Sequence, residues 1–163
     1  MEQERLPLAL VGAFALHAYG FSRATSDLDF VTGSQAQERV IAFLESLGYE
    51  TLHVSAGYSN HVHADASMGR VDFIYVGAQT ARKLWGRPGA MLRLGRYDLP
   101  VPRAEHLVAM KVHAMKNDPG RSLQDMADIR NLLQLDGIDH EEVRGYFDAA
   151  GLLEKYDEIK ELL

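Results

Sequence analysis

Leu10-Val11-Gly12-Ala13, followed by Gly20-Phe21-Ser22-Arg23-Ala24-Thr25-Ser26-Asp27-Leu28-Asp29-Phe30-Val31, is the stretch on which the reading of this chain turns. Leu6 to Val11 is a short apolar run of the length of a buried strand, interrupted by Gly12-Ala13. Phe14 to Tyr19 has room for one or two helical turns and ends at Gly20. Asp27 to Thr32 then alternates polar and apolar, which predicts a half-buried strand with Asp27, Asp29 and Val31 on one face and Leu28 and Phe30 on the other. Strand, turn, helix and strand follow within some 25 residues.

Two carboxylates two positions apart on a strand stand roughly 6 to 7 Å from one another, close enough to share one or two divalent ions. Hard oxygen donors select Mg²⁺, or Mn²⁺ in its place. Two such ions would bridge a triphosphate and neutralise charge on a leaving pyrophosphate. Asp-x-Asp also occurs on ordinary exposed strands, and Gly12 also reads as a plain strand-end turn. A third carboxylate follows in Arg70-Val71-Asp72-Phe73-Ile74, where Asp72 breaks an apolar strand and shares a face with Ile74 and Val76. Such a carboxylate is costly unless paired, metal-bound or placed at a strand end in water.

From Leu10 to Val31 the chain resembles the signature of the nucleotidyltransferase superfamily that includes DNA polymerase β. In that family a strand ends in Gly-Ser or Gly-Gly, a short helix follows, and Asp-x-Asp lies on the next strand. The resemblance implies an α+β fold, a polymerase β-like mixed sheet flanked by helices and followed by a C-terminal helical part. It implies transfer of a nucleoside monophosphate from an NTP to an acceptor hydroxyl, with pyrophosphate released. Asp27, Asp29 and Asp72 would be catalytic and hold the metal, while Gly12 and Ala13 would cradle phosphate through their backbone, with Arg23 and Thr25 steering it. Ala13 stands where the family often has Ser, so a hydroxyl contact from that position is absent.

The rest of the chain sets the frame around this motif. With 163 residues, 47% hydrophobic and 25% charged, it has the composition of a soluble globular protein and a length that supports one sizeable core. The absence of Cys excludes disulfides, thiolate metal sites and cysteine nucleophiles. The longest apolar stretch, Leu8 to Leu16, is about half of what a bilayer span requires, and Met1 to Glu4 lacks a basic signal-peptide start. A cytoplasmic protein without a membrane partner is the expectation. The net charge of −6 argues against coating nucleic acid by bulk electrostatics. The average hides a block, however: Ala78 to Arg103 carries six bases (Arg82, Lys83, Arg87, Arg93, Arg96, Arg103) against Asp98 alone.

Further along, Gln35 to Leu47 has helical periodicity with Ser34 as N-cap, a strand lies near Thr51 to Val54, and Tyr58 to Ala64 and Arg70 to Val76 form a hairpin around residues 66–69. A short helix runs to Leu84, then a Gly/Pro-bearing turn (Gly86, Pro88, Gly89) and a strand pair over Ala90 to Leu99. Pro100 and Pro102 mark a boundary, giving a core over 1–103 and a helical subdomain over 104–163, with helices at 104–116, 122–134, 141–149 and 151–163. Winding the first of these at 100° per residue places Lys111 inside the apolar arc of Leu107, Val108, Met110, Ala114 and Met115. On the second, Asp125 falls in the arc of Met126, Ile129, Leu132 and Leu133, with Asp128 at its margin. That pattern reads as a structural ion pair or a shared polar site, and Ser122-x-x-Asp125 alternatively as a capping box.

Ala104 to Lys111, with Arg121-Ser122-Leu123-Gln124-Asp125-Met126-Ala127-Asp128, is similar to the AbiEii-type branch of the same superfamily, known mostly as bacterial toxins of toxin–antitoxin and phage-defence systems. That resemblance implies that Lys111 contacts the triphosphate, Asp125 acts near the acceptor as base or orienter, and Arg121 binds phosphate. It further implies an RNA acceptor, most plausibly tRNA, and a cognate antitoxin protein as partner. Gln124 stands where the branch often has Lys. A small-molecule acceptor of aminoglycoside type, an inactive nucleotide- or partner-binding module, and an unrelated α/β domain are the competing readings. His61 and His63 share a strand face and read as residues of a water-facing edge strand rather than a metal pair. Trp85 reads as a loop anchor or as a stacking platform for a nucleic-acid end.

Overall fold

A computed structural model describes residues 7–87 and 89–163. The readings that place Leu6 in the first strand, Met1 to Glu4 outside a signal peptide and Pro88 in a turn fall outside the described residues. The chain divides into two compact units, residues 1–102 and 103–163. Among the described residues no helix is long and apolar enough to cross a membrane.

The first unit is α+β. Strand β1 (Leu8–Val11) is almost wholly buried, as its apolar sequence requires, and breaks at Gly12, whose φ of +65° is a conformation that L side chains rarely adopt. Helix α1 (Gly12–His17) follows, then a turn and an irregular segment, then β2 (Asp27–Gly33). After a single 3-10 turn at Ser34–Ala36 come α2 (Gln37–Ser46), β3 (Tyr49–Ser55), β4 (Tyr58–His63) and β5 (Arg70–Val76). The five strands lie in the order β1-β2-β5-β4-β3. The β2–β5 pair is parallel and the other three pairs are antiparallel, so the sheet is mixed. Helix α3 (Ala78–Gly86) and a separate two-stranded ribbon, β6 (Ala90–Leu94) with β7 (Tyr97–Val101), complete the unit.

One face of the sheet is its core face. Val71, Phe73 and Tyr75 on β5 pack with Ala36, Val40 and Leu44 from the α2 region, joined by Tyr49, Leu8 and Phe30. The fully covered Val, Leu and Phe side chains among these each contribute about 1.5–3 kcal/mol by leaving water, and Ala36 and the partly covered Leu8 and Phe30 contribute less. The alternation along β5 therefore puts Arg70, Asp72, Ile74 and Val76 on the opposite face, where the half-buried positions lie.

Two expectations are corrected here. Ser34 does not cap α2: it already lies inside the 3-10 turn, and no side-chain cap bonds the start of α2. His61 does not face water. Strand β4 lies inside the sheet between β5 and β3, and His61 is fully buried on the face that α2 covers. Its ring shares hydrogen bonds with Ser59 Oγ (2.8 Å) and Thr51 Oγ1 (3.1 Å), and Ser59 continues the string to the Tyr75 hydroxyl (2.8 Å). Burial lowers the His61 pKa, because the charged imidazole is disfavoured there.

The second unit is all-helical: α4 (Ala104–Asn117), α5 (Ser122–Leu133), α6 (His140–Ala150) and α7 (Leu153–Lys160). Its core holds Leu107, Val108, Val112, Met115, Ile129, Leu132, Val143, Phe147, Tyr156 and Ile159. Asp139 caps α6 by accepting from the backbone N–H groups of Glu141 and Glu142, and Gly151 ends it in the left-handed conformation. The start of α4 is tied down by charge. Arg103 Nη2 reaches Glu105 Oε1 (3.1 Å) and Glu142 Oε2 (3.2 Å), and Tyr146 donates to Glu142 Oε1 (2.6 Å). Burial raises the pKa of Glu142, but the Tyr146 hydrogen bond and Arg103 outweigh it and hold the carboxyl below its usual range.

Candidate functional site

The sheet register assembles one row of side chains on the face away from α2. Asp29 on β2 is paired with Val11 on one side and with Asp72 of β5 on the other. Asp72 is in turn opposite Asn60 of β4, and Asn60 opposite His53 of β3. Residues directly opposite in a ladder share a face, so Asp29 and Asp72 are cross-strand neighbours. Asp27 lies two positions along β2, opposite Arg70. The three carboxylates singled out by sequence are therefore on one sheet face, and Arg70, Asn60 and Tyr58 join them.

Gly12 is shaped by this site. A Cβ built on it would fall 2.0 Å from Asp29 Oδ2, so the Asp29 carboxylate lies against bare backbone at the β1–α1 turn. Only glycine satisfies both that approach and the positive φ. Ala13 is buried beside it. Thr25 Oγ1 accepts from the Asp27 backbone N–H (3.3 Å), and Ser26 Oγ donates to Asp27 Oδ1 (3.1 Å), so the segment before β2 orients the first carboxylate. Arg23, on the same segment, has its Nε atom buried.

Asp72 is held by its neighbours on β4 and β5. Its side chain is 14% exposed, and Tyr58 donates a 2.6 Å hydrogen bond to its Oδ2. Its Oδ1 is buried and accepts no hydrogen bond, with Arg70 Nε at 3.7 Å. Burial, followed by the hydrogen bond to Asp72, pushes the Tyr58 phenol well above its ordinary range, so it stays a donor at all working pH values.

Among the described residues no three His, Asp or Glu side chains converge as a ready metal cluster. The donor set nevertheless fits a hard cation. It consists of carboxylates on one face, and Asp72 Oδ1 is a buried anionic oxygen lacking the donor that would offset its desolvation.

In the helical unit, Lys111 lies within the core, as its place in the apolar arc predicts. It is 8% exposed, and its Nζ contacts Asp128 Oδ2 at 2.5 Å and Asp125 Oδ1 at 3.2 Å. Asp128 is 2% exposed and is the nearer partner, although periodicity places it at the margin of the arc. Asp125 is turned inward with no capping role: Ser122 is already helical and no side-chain cap is present at the start of α5. Arg121 Nε stands 3.8 Å from Asp125 Oδ2, and Gln124 Nε2 reaches Asp128 Oδ1 at 3.5 Å. Sequence reasoning missed Tyr58, Asn60 and Arg70. The only signal for them is alternation along β4 and β5, which places Tyr58 and Asn60 on one face but says nothing about its register with Asp72.

The basic block is reduced by folding. Arg103 is engaged by Glu105 and Glu142, and Arg93 is paired with Asp98 at 3.7 Å. Arg82, Lys83, Arg87 and Arg96 remain as exposed bases without a carboxylate partner among the described residues, Arg93 is exposed beside Asp98, and Arg96 stacks over the Tyr97 ring at 5.1 Å.

The fold, a mixed sheet followed by helices, is similar to that of solved nucleotidyltransferase structures. The antibiotic-resistance factor ANT(2'')-Ia in solution matches with a TM-score of 0.67 at 14% identity, over 98% of this chain and 89% of that one. The same protein in complex with adenylyl-2''-tobramycin gives 0.64 at 13% identity, over 95% and 91%. The lincosamide antibiotic adenylyltransferase LnuA, lincomycin-bound, gives 0.56 at 16% identity, over 82% and 89%. No protein-family model and no curated protein sequence matches the chain.

Proposed function

We propose that the protein is a metal-dependent nucleotidyltransferase that moves a nucleoside monophosphate from an NTP to an acceptor hydroxyl and releases pyrophosphate. The observation that carries this reading is the Asp29–Asp72 cross-strand pair, with Asp27 two residues along and Asp29 packed on bare backbone at Gly12. Asp27, Asp29 and Asp72 would hold Mg²⁺ or Mn²⁺, which when bound supplies charge neutralisation for the triphosphate. The chain's own groups do the rest. The Gly12-Ala13 backbone gives the phosphates close approach, Arg23 and Thr25 stand on the segment that feeds Asp27, and Tyr58 holds Asp72. Asp72 would also accept the proton of the attacking hydroxyl. Resemblance further assigns Lys111 and Arg121 to a triphosphate and Asp125 to the acceptor. What supports a role for these is a buried lysine placed between two carboxylates, an arrangement costlier than an apolar core.

Two acceptor classes each have an observation behind them. Two of the matched proteins are an antibiotic-resistance factor and a lincosamide antibiotic adenylyltransferase, which favours a small hydroxyl-bearing molecule such as an aminoglycoside or lincosamide. The exposed Arg82, Lys83, Arg87 and Arg96 favour an RNA end, tRNA in the toxin-like reading with a cognate antitoxin as partner. Incubation with Mg²⁺ and each labelled NTP, offered total tRNA, an aminoglycoside or a lincosamide in turn, separates them by which product takes up label. Label that persists in Asp29→Asn would remove the carboxylate face from the chemistry, and no label on any acceptor together with no Mg²⁺-dependent NTP binding would leave a nucleotide- or partner-binding module.

A further inference from the structure

The antiparallel β4–β5 register places Asn60 opposite Asp72, which brings Tyr58, two residues before Asn60, onto the carboxylate face. From there the Tyr58 hydroxyl reaches Asp72 Oδ2 at 2.6 Å. Asp72 has a second suitor. Arg70 is two residues away on the same face, with its Nε buried, unbonded and 3.7 Å from Asp72 Oδ1, just beyond hydrogen-bond range. A planar guanidinium beside a carboxylate closes readily into a two-pronged pair, and such a pair would occupy both oxygens of Asp72. The phenol hydroxyl opposes that closure by fixing the other oxygen, Oδ2, through a short, charge-assisted bond. Oδ1 is thereby left without a hydrogen-bond donor.

We propose that Tyr58 is a positioning residue for this site. It locks the orientation of Asp72 so that one carboxylate oxygen stays available to a divalent cation or acceptor instead of being consumed by Arg70. The inference rests on the carboxylate-face reading of the function but adds a residue that neither motif contains. Tyr58 touches neither phosphate nor acceptor in this account and acts only through Asp72.

The test is Tyr58→Phe, which removes one oxygen atom and keeps the ring, with Tyr75→Phe as the matched control. Tyr75 also has a buried hydroxyl on the same sheet, but it bonds Ser59 on the opposite face. Mn²⁺ binding is read directly by electron paramagnetic resonance on wild type, both variants and Asp29→Asn, and kcat and NTP KM are read separately. Tyr58→Phe is expected to weaken Mn²⁺ binding about tenfold and, with the metal kept saturating, to lower kcat about tenfold with NTP KM within twofold, because the interaction orients rather than binds the nucleotide. Tyr75→Phe is expected to lower the melting temperature while leaving Mn²⁺ affinity and kcat within twofold. Wild-type affinity in Tyr58→Phe, when Asp29→Asn has lost binding, overturns the role of Tyr58 and leaves the site standing. No Mn²⁺ binding in the wild type overturns the site, and Tyr58 with it.

Discussion

Replacing Gly12 by alanine puts the link between fold and site at risk in a single atom. The new Cβ would fall 2.0 Å from Asp29 Oδ2, 2.6 Å from Cγ and 2.8 Å from Cβ of the same residue, so the whole Asp29 side chain stands in the way. Ordinary carbon contacts begin near 3.5 Å, so the carboxylate must retreat by more than about 1 Å. The backbone adds its own cost, because an L side chain at φ +65° is disfavoured by about 1–2 kcal/mol. Gly20→Ala separates the two effects: Gly20 also has a positive φ, +85°, but a Cβ there meets nothing within 4 Å. Gly20→Ala is expected to lose about 1–2 kcal/mol in denaturant melts, and Gly12→Ala at least as much, because the displaced Asp29 adds to the shared backbone cost. Only Gly12→Ala should lose activity, by about 100-fold, the usual consequence of displacing a reacting group by about 1 Å. If Gly12→Ala transfers nucleotide as fast as Gly20→Ala, the packing of Asp29 on the turn has no part in catalysis and the argument fails.

Other perturbations reach different parts of the account. Asp27→Asn should abolish transfer while stability stays within about 0.5 kcal/mol, since Asp27 is half-exposed and outside the core; a large drop in melting temperature would make it structural. Lys111→Ala strands Asp125 and Asp128 in the helical core and should cost about 3–5 kcal/mol, a fall of roughly 10 °C in Tm; a shift under about 2 °C would show that the triad contributes little. His61 is buried as the neutral ring, with its folded pKa below the ordinary 6.5. The unfolded chain therefore binds more protons between those two values, so stability is complete at neutral pH and falls as pH drops below about 6.5. His61→Gln should flatten that part of the melting profile, and an unchanged slope would assign the acid sensitivity elsewhere, His140 included.

Much of the architecture is legible in local pattern. Helical spacing marks α4 and α5, alternation marks β2 and β5, and Gly12 and Gly20 bracket α1, because each of these rests on neighbours within one element. Lys111 was visible for the same reason. Where the reading went astray, the deciding contact was distant in sequence. Nothing near His61 shows that β3 pairs outside it and α2 covers it, so a buried ring read as an edge residue. Asp128 sat at the margin of a helical arc until α4 supplied Lys111 as its partner. Ser34 and Ser122 have the chemistry of caps, but each already has helical backbone angles, whereas a capping hydroxyl needs the non-helical backbone of the preceding position to reach the free N–H groups of the first turn. Tyr58 carries no motif: it depends on a register between β4 and β5 that only the folded sheet sets.

The central claim is that the face bearing Asp29 and Asp72 is where a metal-bound NTP is held. Calorimetric titration of each NTP, with and without Mg²⁺, into wild type and Asp29→Asn tests it without reference to the acceptor. The account predicts saturable binding of at least one NTP that requires Mg²⁺ and weakens at least tenfold in Asp29→Asn. Binding of equal strength in the variant, or independent of the metal, would contradict it.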